Sequence, residues 1–183
     1  MIKKFSVLGI GNAMVDILIK SNDEFLAQHA IKKGVMQLID LKRAQSLYNK
    51  FGTATEVSGG SGANTIYGLA SLGITTSYIG KVKDDFLGHR FISDLLNMNI
   101  HYSTHLSSKT TAAETGRCVV FITPDGERSM NTYLGVTEHL HETDINIDNV
   151  RLSEWLYLEG YRFDGPDSEK AFAKAIKIAK NSH

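Results

Sequence analysis

An α/β fold, with helices on both faces of a doubly wound and mainly parallel sheet, is what this sequence predicts, and three observations lead to it. Short, nearly continuous apolar runs that read as buried strands alternate with segments of helical spacing. One hairpin signal, Pro124-Asp125-Gly126, interrupts that alternation mid-chain, so a small β piece should project from the main sheet. The chain has 183 residues, 42% of them hydrophobic, enough for one domain with its own core.

The elements follow in order. Phe5 to Ile10 (FSVLGI) is an apolar run closed by glycine turns and reads as a buried strand. Val15 to Lys20 (VDILIK) is a second strand, with Asp16 oddly placed inside it. Val35 to Asp40 (VMQLID) is a third. The next segment is a helix with Leu41, Ala44, Leu47 and Tyr48 on one face and Gly52 as its stop. From Gly62, the positions of Ile66, Leu69, Ala70 and Leu72 predict a helix that ends at Gly73. Thr75 to Val82 is a strand. The helix after it carries Asp84 and Asp85 in its first turn, where the helix dipole favours acids. Glu114 to Leu134 forms the hairpin. Trp155 to Tyr161 (WLYLEGY) is a strand, and from about Ser168 a last helix puts Phe172, Ala175, Ile176 and Ala179 on one face.

Composition excludes several classes. Basic and acidic residues balance at 20 each without a basic block, so nucleic acid is not an expected partner. Cys118 is the sole cysteine, and no Cys/His cluster has zinc spacing, so no metal site is expected. Glycines break the apolar start too early for a signal peptide, and no apolar run approaches the roughly 20 residues that span a bilayer. The reading is a cytoplasmic protein without membrane contact.

The stretch Ser58 to Gly73, SGGSGANTIYGLASLG, has the look of a phosphate loop and fails both common tests. A P-loop needs Lys then Ser or Thr after its last glycine, whereas Ala63, Asn64 and Thr65 follow Gly62. The dinucleotide fingerprint needs a third glycine where Thr65 stands, and Met14 fails in the same way after Gly9 and Gly11. What remains is a loop that brings backbone close to a ligand, with Gly59 and Gly60 as a hinge. Asn64 offers a donor and an acceptor, and Asp16 a bidentate acceptor, which together suit neighbouring hydroxyls. The bland alternative is that Asn64 caps the helix and Asp16 is solvated on an edge strand. Spacing alone leaves the two open.

The ordered motifs resemble the N-terminal part of the PfkB (ribokinase-like) family of sugar and nucleoside kinases. Gly9-Ile10-Gly11-Asn12 with Asp16 is similar to the family's opening strand and acceptor turn. Gly59-Gly60-Ser61-Gly62-Ala63-Asn64, followed by Ala70, Leu72 and Gly73, is similar to its first signature. Ile79-Gly80-Lys81-Val82 with Asp84, Asp85, Phe86 and Gly88 comes next, then Thr115-Gly116 and Gly126-Glu127-Arg128 of the hairpin. Within the family the chain most resembles the adenosine-kinase and related bacterial branch.

The resemblance implies a ribokinase-like fold in which the segments about 15–20, 35–39 and 115–134 form a lid over the acceptor. Asp16 and Asn64 would bind sugar hydroxyls, with Asn12, Gly59 and Gly60 as the edge and floor of the site. Met36, Leu38, Cys118 and Met130 would touch a base or sugar face, the alternative being ordinary packing within the lid. Arg128 would approach the transferred phosphate, or else is a surface arginine beside a turn. The implied reaction is transfer of the ATP γ-phosphate, with Mg2+, to a hydroxymethyl group of adenosine or a ribose-like sugar. The family's second signature, a Gly-Ala-Gly-Asp turn with the catalytic Asp, does not occur in these 183 residues. The chain therefore reads as the N-terminal portion of one domain, holding the acceptor site and lid, with the C-terminal part of the fold absent and no activity alone. Two other readings stay open, a non-catalytic sugar- or nucleoside-binding or regulatory module and a non-functional remnant. A homodimer through the lid or an exposed sheet edge is a further expectation.

Overall fold

The computed structural model describes residues 3–50, 54–163 and 165–182. Its main sheet has four parallel strands in the order β6-β5-β1-β9: β1 (Phe5–Ile10), β5 (Thr76–Ile79), β6 (His101–Tyr102) and β9 (Ser153–Leu158). Both faces are covered across β1 and β5, as continuous apolar strands require. Successive residues of β1 point opposite ways. Leu8 and Ile10 pack with Ile79 against Phe172 and Ala175 of α6 (Pro166–Lys180) and Val150 of α5 (Ile147–Arg151). On the other face Val7 and Tyr78 meet Ile66 of α3 (Ser61–Ser71) and Phe91 and Leu95 of α4 (Phe86–Asn97). The expectation of a doubly wound, parallel main sheet is met.

A second, mixed sheet carries the order β3-β8-β7-β2-β4. Its strands are β2 (Met14–Lys20), β3 (Met36–Leu38), β4 (Thr55–Gly59), β7 (Gly116–Ile122) and β8 (Arg128–Tyr133). These include the three segments expected to project, and β4 is an addition. The period of two splits β2 and β7 cleanly. Val15, Ile17, Ile19, Val119 and Phe121 face inward onto the core shared with α4, while Met14, Cys118 and Val120 form a small cluster on the other face.

Some boundaries and roles differ from expectation. Asp84 and Asp85 precede α4 instead of lying in its first turn. Asp85 is the N-cap, accepting from the Gly88 N–H at 2.8 Å, and its carboxylate also binds the Thr115 N–H and hydroxyl at 2.9 and 2.7 Å. One carboxylate thus starts a helix and fixes the approach to β7. The last strand runs over 153–158, because Gly160–Arg162 curl into a 3-10 turn, and α6 begins at Pro166. α2 (Leu41–Tyr48) buries Ala44 and Leu47 as its spacing requires, and its expected stop, Gly52, lies outside the described residues. The short helix α1 (Asp23–Gln28) and α5 had no counterpart in the sequence reading.

Candidate functional site

The backbone leaves the main sheet at Gly11–Ala13, returns through β4 and α3, crosses again before β7, and returns once more to β9. A cavity of about 390 Å³ lies at these crossings. Its polar floor holds Asn12, Asp16, Gly60, Ser61 and Asn64, with Glu159, Tyr161 and Arg162 arriving from the end of β9. Its apolar wall is the outer face of the second sheet, with Met14, Met36, Leu38, Cys118, Met130 and Leu134. Arg128 and Thr132 complete that side. Gly59 stands behind the floor and does not line the cavity.

The two bland readings of the polar pair fail on geometry. Asp16 sits on β2, between β7 and β4, and not on an edge strand. Asn64 lies inside α3, whose N-cap is Gly60, and lines the same cavity as Asp16. Burial pushes the Asp16 carboxyl above its ordinary value, with the Arg128 charge and the nearby Asn64 amide acting the other way. A carboxylate held short of water gains by accepting from ligand hydroxyls. The hinge glycines are required sterically. A Cβ on Gly59 would stand 2.3 Å from Asp16 Cγ. Gly60 has φ +96°, and a Cβ there would meet the Asn12 carbonyl oxygen at 2.5 Å.

The apolar candidates divide. Cys118 and Met130 pack within the second sheet while also lining the cavity. Met36 and Leu38 are 50% and 62% exposed, so packing within the sheet does not account for them. The Cys118 thiol accepts from Thr132 Oγ1 at 3.3 Å, and burial pushes it up to about 11, so it remains a neutral, inert wall group. Arg128 is exposed at the start of β8 and lines the cavity rim, so surface position and site membership both hold.

Sequence reasoning missed Met14, Ser61, Thr132, Leu134, Glu159, Tyr161 and Arg162. For Glu159 a signal existed, a carboxylate between an apolar strand and a glycine. Glu159 is only 2% exposed. Its Oε2 accepts from the Asn12 N–H and its Oε1 from the Gly62 N–H at 2.9 Å.

With that geometry in view, the pfkB family carbohydrate kinase model matches residues 30–183. The chain belongs to this family. Among solved structures it is similar to a probable sugar kinase from Rhizobium etli, at 42% identity and TM-score 0.89, covering 99% of this chain and 54% of that one. It is also similar to adenosine kinase from Sinorhizobium meliloti, at 44% identity and TM-score 0.88, covering 98% and 54%. A 5-dehydro-2-deoxygluconokinase from Bacillus anthracis is 32% identical over 130 residues, 70% of this chain and 39% of that protein. The chain thus spans about half the length of its solved relatives and less of its curated ones.

Membership of the pfkB family implies use of ATP, for whose phosphates the helix N-termini of the described residues offer no open site. No group of three or more His, Cys, Asp or Glu capable of holding a metal occurs among them. An open helix N-terminus suits phosphate, and among the described residues each helix of eight residues or more starts against a carboxylate of the chain itself. Asp40 caps α2, Glu159 meets α3, Asp85 caps α4, and Asp167 and Glu169 occupy the first turn of α6. No helix among the described residues is long and apolar enough to cross a membrane.

Proposed function

We propose that this chain supplies the acceptor site and lid of a kinase that transfers the ATP γ-phosphate to a hydroxymethyl group, with adenosine or a ribose-like sugar as acceptor. The observation that carries the reading is that Asp16 and Asn64 lie together on the polar floor of one cavity, beneath an apolar wall. Asp16 accepts from two neighbouring hydroxyls, Asn64 orients that carboxylate, and Asn12 and Gly60 bound the edge. The wall of Met36, Leu38, Cys118 and Met130 offers soft, polarisable contact to the face of a purine base. An all-polar sugar acid leaves that wall unused, which favours the nucleoside. Arg128 at the rim of the second sheet would stabilise charge on the transferred group once the sheet closes as a lid.

Direct binding tests this. Calorimetric titration of the chain with adenosine should give saturable binding, and ribose weaker binding. A hydrogen bond to a charged group is worth about 1.5–3 kcal/mol, so Asp16→Ala should weaken adenosine binding about tenfold or more. Binding of neither compound, or binding indifferent to Asp16→Ala, would refute the assignment.

A further inference from the structure

The glycine-rich turns of this chain have the shape of phosphate loops without the residues that phosphate chemistry needs. The structure shows what fills them. Glu159 reaches from the end of β9 into the gap between the Gly11–Asn12 turn and the start of α3, and each of its carboxylate oxygens accepts one backbone N–H. Both glycines make room for it. A Cβ on Gly11 would lie 2.6 Å from Glu159 Oε2, and one on Gly62 would lie 3.3 Å from Glu159 Cβ. The carboxylate sits where a helix N-terminus places its positive end, which favours an anion there.

Asn12 is held at two further points, and Glu159 at one. Its carbonyl oxygen accepts from the Tyr78 hydroxyl at 2.7 Å. Its side-chain oxygen accepts from Arg162 Nη1 at 3.4 Å. The Glu159 N–H itself donates to the Ile10 carbonyl at 2.9 Å, so the carboxylate is anchored beside the turn it binds. Burial, with the Glu159 charge as the next cause, holds the Tyr78 hydroxyl well above its ordinary value and keeps it a donor.

We propose that Glu159 is the positioning residue of the acceptor pocket: an internal carboxylate in the place of a bound phosphate, clamping the Gly11–Asn12 turn to α3. The clamp sets the spacing of Asn12, Gly60 and Asn64 before an acceptor arrives, and it closes the glycine loop to phosphate. Its pre-organising half rests on the acceptor reading above, whereas the clamp does not.

The experiment is amide hydrogen exchange by NMR on the full chain, with Glu159→Gln as an isosteric variant and Glu159→Ala as a cavity variant. In Glu159→Gln the Asn12 and Gly62 amides should exchange about tenfold faster or more, while the amides of β1 and β5 stay as in wild type. In Glu159→Ala, added formate should restore protection at the same two amides, a rescue that a merely space-filling role would not give. Inorganic phosphate should leave the Asn12 and Gly62 resonances of the wild type unmoved. Unchanged exchange in Glu159→Gln, no rescue in a folded Glu159→Ala, or phosphate shifts at these amides in the wild type would each overturn the clamp. If Glu159→Ala does not fold, Glu159→Gln decides. Adenosine affinity should fall about tenfold in Glu159→Gln, and an unchanged affinity overturns pre-organisation. A wild type that binds no adenosine overturns the acceptor reading and pre-organisation with it, while the amides still decide the clamp.

Discussion

The two sheets of this molecule use opposite arrangements for their side chains. The four-stranded sheet is parallel and covered by helices on both faces across β1 and β5, so Leu8 and Ile10 on one side and Val7 and Tyr78 on the other all pack into core. The five-stranded sheet is covered on one face only. Val15, Ile17, Val119 and Phe121 hold it to α4, while the residues between them, Met14, Asp16 and Cys118, are left to line the cavity. Stability and recognition are thus interleaved at every second position of the same strands. A one-residue slip of β2 would bury Asp16 in the core and turn Ile17 to the ligand.

The largest effect follows from that interleaving. Phe121 is fully buried, with its ring 5.4 Å from that of Phe25, and Phe121→Ala should destabilise the chain by about 3–5 kcal/mol. Met130 is half-buried on the cavity face of the neighbouring strand, so Met130→Ala should remove only about 1 kcal/mol while weakening adenosine binding. Urea unfolding of both variants beside calorimetric titration checks the contrast. Equal stability losses would mean that the cavity face is as much core as the inner one.

The same interleaving explains how much could be read from the sequence. Strands β1, β2, β7 and β8 and helices α2, α3, α4 and α6 were legible, because apolar runs or a 3.6-residue period extend over enough positions to be seen. α1 has six residues and one buried side chain, α5 has five residues, and β6 has two, all too short to show a period. β4 (TEVSG) was hidden by its polar alternation and by the glycines that follow. In the site, Asp16 stood out as the odd residue in an apolar strand, and Asn64 as the amide at the start of a helix behind the glycine loop. Glu159 did not, since its partner Gly62 lies 97 positions away and only the pairing of β9 with β1 brings them together.

An intermediate effect concerns the charge on the ligand face. Burial raises the Asp16 carboxyl above the ordinary 3.8, so the folded chain binds its proton more tightly than the unfolded chain does. Stability from this group is therefore greatest below 3.8 and falls as pH rises from there through the raised folded value. Asp16→Asn removes the dependence. The variant should be more stable than wild type at neutral pH, by less than Phe121→Ala loses, and the gap should close as the pH falls below the ordinary carboxylate range. Urea midpoints at a series of pH values test the sign. A variant less stable at neutral pH would mean that the Arg128 and Asn64 interactions outweigh burial.

The smallest stability effect, and the sharpest contrast within the main sheet, is at its β9 edge. Trp155 and Tyr157 pair in register with Val7 and Gly9, on the face that α3 covers over β1, yet Trp155 is 73% exposed. The cover does not reach β9. An exposed aromatic beside a strand edge that is unpaired among the described residues is a surface where other strands can add, and the expected homodimer through an exposed sheet edge is tested there. Trp155→Lys should change folding stability by no more than about 0.5 kcal/mol. It should also shift sedimentation velocity profiles toward monomer at concentrations where the wild type associates, since a charge on an edge opposes strand pairing. Trp155 is the only tryptophan, so its fluorescence reports on the same surface, with acrylamide quenching that weakens as the wild type is concentrated. A wild type monomeric at every dilution, with quenching independent of concentration, would leave β9 an open edge without a partner of its own kind.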